Sequence, residues 1–383
     1  MTVLTAPPTD HAPRVASADI EDFAVPTGRE EEWRFAPMDA LAAFMSPDAQ
    51  AGTLTATAGD HVAVVPVGEA RATTWLPTDR PSAVARAAVS SVVTVTISDD
   101  EVVEAPIVVE LRGDAPVNHG HVQVHAGRHS RSTVVLVHDA SVDVSGAIVT
   151  ELADGADLTV LSIMDGPAEH THLWQWHTQV GRDARFVGAV VTIGGRVVRM
   201  APTVSYAGPG GSAELLGAFL ADNGQYLEHR IFVEHAEPHC TSSVVYKGAL
   251  AGQGSHTVWI GDVLVRREAI GTDTYEMNRN LLLEDGPRAD SVPNLELETG
   301  DVASAGHASA TGRFDDEQLF YLQARGIPER VARQLVVRGF FVDVLNRIPS
   351  AQWRASVLER IAQRLGMDPE LEAELEADAA VVP

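Results

Sequence analysis

Between about Ser90 and Gly312, apolar and polar residues alternate in short Val-rich runs: VVTVTI, PIVVEL, HVQVHA, TVVLVHD, DLTVLSIM, RFVGAVVTI, IFVEH, SVVYKGAL and TVWIGDVLV, punctuated by Gly, Asp and Asn. A period of two sends successive side chains to opposite faces of a strand, so these runs predict a large β domain almost without helix. A Gly-Ala pair recurs inside them at Gly146, Gly188, Gly217 and Gly248, at intervals of 42, 29 and 31 residues. A unit of that length cannot close its own core. The echo therefore predicts stacked coils, a β-helix, with a β-sandwich as the alternative because the spacing is uneven.

Both flanks have a different texture. Residues 1 to about 20 are rich in Pro, Ala and Thr without periodicity and predict a disordered lead. In PTGREEEWRFAPMDAL, Thr27 and Glu30 have capping-box spacing, and Trp33, Phe35, Leu41 and Phe44 supply apolar anchors for short helical pieces. Beyond Gly312 the period turns helical. Asp315 with Gln318 caps a helix carrying Leu319, Phe320 and Leu322, which stops at Gly326. Pro328 opens a second helix as its first residue, through Val331, Leu335, Val336, Phe340, Val344 and Leu345. Ser350 caps a third with Trp353, Val357, Ile361 and Leu365, ended by Gly366, and the acidic run PELEAELEAD adds a weak last one. The predicted organisation is a lead and helical or mixed cap over 1–89, a β-helix core over 90–312, and a C-terminal helical domain over 313–383.

Charge and cysteine content narrow the function classes. The 53 acidic and 28 basic residues leave a net charge of -25, which repels phosphate backbones and anionic lipid and argues against nucleic-acid or membrane-surface binding. MTVLTAPPTDHAPR has no basic stretch followed by an apolar one, and no segment approaches about 18 uninterrupted apolar residues, so a cytoplasmic location is expected. Cys240 is the only cysteine, which excludes an intramolecular disulfide. Lys247 is the only lysine among many arginines and reads as compositional bias.

Four histidine groupings offer candidate chemistry. In NHGHVQVHAGRH, alternation puts His119, His121 and His125 on one face, without an acidic fourth ligand in the run. In EHTHLWQWH the same rule aligns His170 and His172 with Trp174 and Trp176, an amphipathic strand face. EHAEPHC brings together His235, His239 and Cys240, one thiol being too few for a self-contained cluster; a buried free cysteine beside surface histidines is the plainer reading. His307, flanked by Gly306, Ala308, Ser309 and Ala310, sits uncrowded at the seam between β and helical regions. No P-loop, nucleophile elbow, H-E-x-x-H or dinucleotide-binding glycine motif is found, and AGPGGSAE reads as a turn between strands. These residues point to a non-catalytic scaffold.

From about Ser242 to Phe341 four blocks occur in a distinctive order: the KG at Lys247, T-D-x-Y-x-x-N-R-N-L-L-L, A-D-S-x-P-x-L-E, and H-x-x-x-x-G-x-x-D-x-x-Q-L-F-Y-L-x-x-R-G-I. This region resembles the SufB/SufD family of iron-sulfur cluster assembly proteins, with a weaker echo in G-x-E-E-E-W-R from Gly28 to Arg34. The resemblance implies a right-handed parallel β-helix core flanked by helical regions. It also implies partners: a SufB-like paralogue joined through the β-helix cores, and a SufC-like ABC ATPase docked on the helices from Asp315 to Arg347, with Arg325, Gly326 and Phe340 as contacts. SufB-like subunits carry cysteines, so the poverty of thiols makes the implied subunit SufD-like. The resemblance further implies that no cofactor is bound stably and that iron or a nascent cluster is shared with SufB only transiently. His307 matches the histidine that SufD-like proteins contribute at the heterodimer interface. Where the family often reads Asp-Val-Lys-Cys-Ser/Thr-His, this chain reads D-V-A-S-A-G-H from Asp301 to His307, one residue longer and without the thiol. In an extended segment one extra residue reverses the face of His307 unless a bulge absorbs it. Two alternatives stand beside this reading: a β-helix carbohydrate-active enzyme, and a free-standing homodimer that binds iron or another metal.

Overall fold

The protein, described by a computed structural model over residues 15–47, 50–139, 141–314 and 316–366, is built on strands that wind into a solenoid of about eight turns. In chain order the strands are β1 (Gly52–Thr53), β2 (Val62–Pro66), β3 (Ser91–Ile97), β4 (Ile107–Glu110), β5 (Val117–Ala126), β6 (Arg131–Val137), β7 (Asp143–Leu152), β8 (Asp157–Met164) and β9 (Thr171–Val180). They continue as β10 (Arg185–Thr192), β11 (Val197–Tyr206), β12 (Ser212–Ala221), β13 (Tyr226–His235), β14 (Thr241–Leu250), β15 (His256–Val265), β16 (Thr272–Leu282), β17 (Arg288–Leu297) and β18 (Val302–Arg313). From β3 onward the odd strands form one sheet and the even strands a second, so each coil contributes one strand to each. Pairing within both sheets is parallel except where β2 joins β3 antiparallel. The β-helix expectation is met, and the sandwich alternative falls.

Neighbouring coils advance by 26 residues where Val117 meets Asp143 and by 32 where His256 meets Arg288, so the coils lengthen toward the C-terminal end. A single hydrophobic column fills the interior from Leu54 to Ala269 and includes Ile148, Trp176, Phe186, Phe219, Tyr246 and Trp259. Each such side chain, fully buried, stabilises the fold by about 1.5–3 kcal/mol, and only stacking achieves that burial. The glycine echo has a cause different from simple repetition. Gly217 pairs with Tyr246 and Phe219 with Gly248, and a Cβ on either glycine would run into the partner's ring. The pairs fall two residues out of register between coils, and Gly146 belongs to the other sheet, which explains the uneven spacing.

The outer faces of both sheets are covered as well. Against the odd-strand sheet lies the N-terminal segment, with Trp33, Leu41, Phe44 and Met45 packed on Leu173, Val197, Tyr226, Val258 and Ile260. The predicted capping box forms, the Thr27 amide donating to the Glu30 carboxylate at 3.0 Å, but the chain continues as a run of turns, and helix α1 begins only at Met38 (Met38–Leu41). A helix without strong sequence periodicity, α2 (Arg80–Ala88), is capped by the Asp79 carboxylate, which accepts from the Ser82 amide. Arg199 pins this layer down: 4% exposed, it meets Asp79 at 3.0 Å, Glu32 at 3.2 Å and Glu228 at 3.4 Å, with the Trp33 ring 4.1 Å away.

Helices α3 (Asp316–Ala324), α4 (Glu329–Leu345) and α5 (Ala351–Arg364) succeed the solenoid, α4 and α5 packing on the even-strand sheet. Ser350 caps α5 by accepting from the Trp353 amide, while Pro328 is the N-cap of α4 and not its first turn. The apolar stripe of α4 agrees with the expected one at Val344 and Leu345 and is displaced from it in the earlier turns. Ala332, Val337, Phe341, Val344 and Leu345 are buried, and Val331, Leu335 and Val336 only partly so. On α3, Leu319 is buried but Phe320 is 70% exposed. The expected cap Asp315 and the helix in PELEAELEAD lie outside the described residues. Lys247, read from composition as a bias, docks α4 on β14. Its side chain is 5% exposed, and Nζ donates to Asp343 Oδ2 at 2.7 Å and to the Phe340 carbonyl at 3.0 Å. Among the described residues no helix is long and apolar enough to cross a membrane.

Candidate functional site

The two ends of the solenoid differ. At the N-terminal end the outermost strands are the antiparallel β2 and the four-residue β4. At the C-terminal end the outermost strands are β17 and β18, ten and twelve residues long, and most of β18 is exposed.

His307 lies in the middle of β18, the last strand before the helices. The ladder gives its direction. Along the even sheet one inward position runs Ile107, Val134, Val160, Gly188, Leu215, Val244, Glu276, His307. An apolar column thus ends in a carboxyl and an imidazole in its last two coils. Register matters here because a slip of one residue would turn His307 outward. Between Thr272↔Val302 and Asp273↔Ser304 the ladder contains a β-bulge at Ala303, which takes up one residue and leaves His307 opposite Glu276.

His307 Nδ1 lies 3.9 Å from Glu276 Oε1, with the imidazole side chain 45% exposed and the glutamate 0% exposed. The Glu276 carboxyl reaches across the interior to Gly261 and the edge of the Trp259 ring, the space a Cβ at Gly261 would occupy. Neither of its oxygens has a hydrogen-bond partner of good geometry. Burial, reinforced by the charge of Asp262 and opposed by the nearby Asn294 amide, pushes its pKa up to about 8. Around it the interior turns polar: Asn280 Nδ2 donates to Asn278 Oδ1 at 2.7 Å and to Thr311 Oγ1 at 3.3 Å, and the Ser242 and Thr274 hydroxyls are 2.6 Å apart. Sequence reasoning passed over Glu276, although TDTYEMNRN carries polar residues on both faces of its alternation, the mark of a strand whose inner face is not a hydrophobic core.

The other candidates serve packing. His119, His121 and His125 do share the outer face of β5, beneath the N-terminal segment: Trp75 stands edge-on to His121 with centroids 5.7 Å apart, and Arg71 reaches His125 Nε2 at 2.6 Å. His172, Trp174 and Trp176 face the solenoid interior, while His170 pairs with Asp143 at 3.2 Å. His235 is not on the surface; it is buried, stacked on Tyr206 at 4.8 Å, and His239 occupies a turn at φ 57°. Cys240 is buried two strands from β18, and burial raises its thiol pKa, so it is held as an inert thiol. Among the described residues no three His, Cys, Asp or Glu side chains gather into a metal-binding group. Of the expected docking residues, Arg325 lies 4.3 Å over the exposed Tyr321 ring beside Gly326 at φ 88°, whereas Phe340 is half-buried beneath Lys247.

Among the described residues, then, the structure is a parallel β-solenoid with helices on its outer faces and inward polar groups at its C-terminal end. Residues 109–340 match the family described as SUF system FeS cluster assembly, SufBD core domain, and the chain belongs to that family. It is similar to a Mycobacterium bovis iron-sulfur cluster assembly SufBD family protein, 44% identical over 364 residues that cover 91% of this chain and 92% of that one. It is similar also to the Escherichia coli iron-sulfur cluster assembly protein SufD, 25% identical over 396 residues and 89% of each chain. A second M. bovis SufBD family protein shares 30% identity over 157 residues, 41% of this chain and 18% of that protein.

Proposed function

We propose that the chain is the SufD-like, non-catalytic subunit of a cytoplasmic scaffold in which it pairs with a SufB-like paralogue and is moved by a SufC-like ABC ATPase. The open end of the solenoid carries this reading: two long strands there have no outer neighbour among the described residues, and the imidazole set among them, His307, faces the interior. One buried cysteine cannot hold iron and sulfide, so thiolates must come from the partner. In this reading ferrous iron and sulfide are cargo, and His307 offers a neutral nitrogen donor to iron at the shared end. α3 supports the ATPase contact, since Phe320 and Tyr321 stand 70% and 55% exposed beside Arg325. Co-expression with the SufB-like and SufC-like proteins of the same organism tests the proposal. A stable three-protein complex that assembles a cluster from ferrous iron and sulfide, and does so poorly with His307→Ala, is the expected result. Recovery of the chain without affinity for either companion overturns it.

A further inference from the structure

Glu276 is a group that packing within the chain does not explain. The six earlier positions of its column are apolar or glycine, so the coil itself does not call for a polar side chain here. Among the described residues the Glu276 oxygens meet only the Asn294 amide, in poor geometry, and the His307 imidazole at 3.9 Å, and a buried carboxyl so weakly satisfied costs about 1–3 kcal/mol, more when ionised. Residues kept at such a cost concentrate where a ligand offsets it.

Facing Glu276 is His307, half exposed to the open end, at 3.9 Å. Two donors each about 2.1 Å from one tetrahedral ion stand roughly 3.4 Å apart, so a small rotation of the imidazole brings nitrogen and oxygen to ligand spacing. We propose that Glu276 and His307 form a two-donor seat for a divalent first-row metal cation, the carboxylate giving oxygen and the imidazole nitrogen. Mixed oxygen and nitrogen donors suit ferrous, cobaltous and zinc ions, and an entering cation displaces the proton that burial favours on the carboxyl, leaving a charged oxygen donor beside the neutral imidazole. The Asn294 amide and the Trp259 ring edge close the inner side of the seat, so the remaining coordination positions point toward the open end. The proposal rests on the reading that His307 faces iron, and adds that this chain binds the ion through a second ligand of its own.

Anaerobic titration of the purified full chain with cobalt(II), monitored by its visible absorption, tests the seat. The wild type should saturate with one equivalent, and Glu276→Gln and His307→Ala should each weaken binding at least tenfold. Absence of saturable binding at millimolar cobalt, or unchanged affinity in Glu276→Gln, overturns the proposal. If Glu276→Gln does not fold, X-ray absorption of wild-type protein loaded with cobalt decides instead: one imidazole and one carboxylate support the seat, and imidazole with water alone refutes it. The two readings separate cleanly. Cluster assembly lost in His307→Ala alongside unchanged cobalt affinity in Glu276→Gln leaves the scaffold standing without the seat. Tenfold weaker binding in a chain that joins no companion leaves the seat without the scaffold.

Discussion

Removing Asp343 will cost the fold more than removing Lys247, although the two are partners 2.7 Å apart. The difference lies in burial: the lysine side chain is 5% exposed and the aspartate 71%. Lys247→Met deletes charge-assisted hydrogen bonds to Asp343 and the Phe340 carbonyl, worth about 1.5–3 kcal/mol. It also removes the desolvation penalty of the ammonium, fills the same volume, and leaves a carboxylate that water takes over, so the net loss is about 1 kcal/mol. Asp343→Ala leaves the ammonium buried with one carbonyl and the Phe340 ring 5.0 Å away. That ring contact recovers part of the loss, and the cost stays near about 3 kcal/mol, the low end for a broken buried pair. Urea denaturation of both single variants and the double variant, with hydrogen exchange over Glu329–Arg364, gives the comparison. The double variant should return to the level of Lys247→Met. The lysine hydrogen bond holds the Asp343 carboxyl below its usual 3.8, so its contribution is present above that pH and lost as pH falls through the lower folded value. A Lys247→Met variant as unstable as Asp343→Ala would refute the reasoning.

Three further outcomes rest on the packing and the buried charges. Gly217→Ala should destabilise by about 1–3 kcal/mol, because the new methyl meets the rigid Tyr246 ring on the next strand, and denaturant midpoints will show it. Arg199→Met should lose about 3 kcal/mol, the low end for a broken buried pair, because Glu228 and Asp79, 1% and 5% exposed, lose their shared cation and keep only Tyr226 and Arg230 or the Ser82 cap, and limited proteolysis should release the N-terminal layer first; Arg199→Lys should rescue only partly, since an ammonium cannot fork to three carboxylates. Burial pushes the pKa of His138 and His229 down to about 3 and of His172 to about 4. Unfolded imidazoles protonate near about 6.5. Their contribution is therefore present above that pH and lost as pH falls toward the folded values, at about 1.4 kcal/mol per unit per group. His172→Phe should flatten this acid slope in denaturation curves between about pH 7 and pH 5, and an unchanged slope would contradict the assignment.

Much of the solenoid was legible because Val-rich alternation survives in any strand with an inward face, as in DLTVLSIM and TVWIGDVLV. The strands that escaped notice have physical reasons for doing so. β11 carries Arg199 and Pro202, the arginine turned out to the acidic cluster and the proline lying where the ladder to β13 is interrupted. β17 carries Pro293, tolerated on an edge strand, and β18 is built from small polar residues because its inward face lines an opening. Which face is inside was not legible for the histidines, because both sheets are covered on their outer sides too, and a residue pointing away from the core is still buried. For the same reason Lys247 could not be told from a surface cation. His307 was legible as a candidate, but Glu276 was not, since what sets it apart is the imidazole opposite it in the next coil, about thirty residues away in sequence.

The unlike ends of the solenoid also set how far any stacking can go. Parallel coils could in principle continue head to tail, the last coil of one molecule seating on the first of the next, and such an arrangement never closes. Here the first coil is blocked by an antiparallel strand and a very short edge, while no strand among the described residues covers the last coil. Among the described residues growth of that kind has one competent edge per molecule, so head-to-tail stacking cannot propagate from coil to coil as it would in a solenoid with two matching ends.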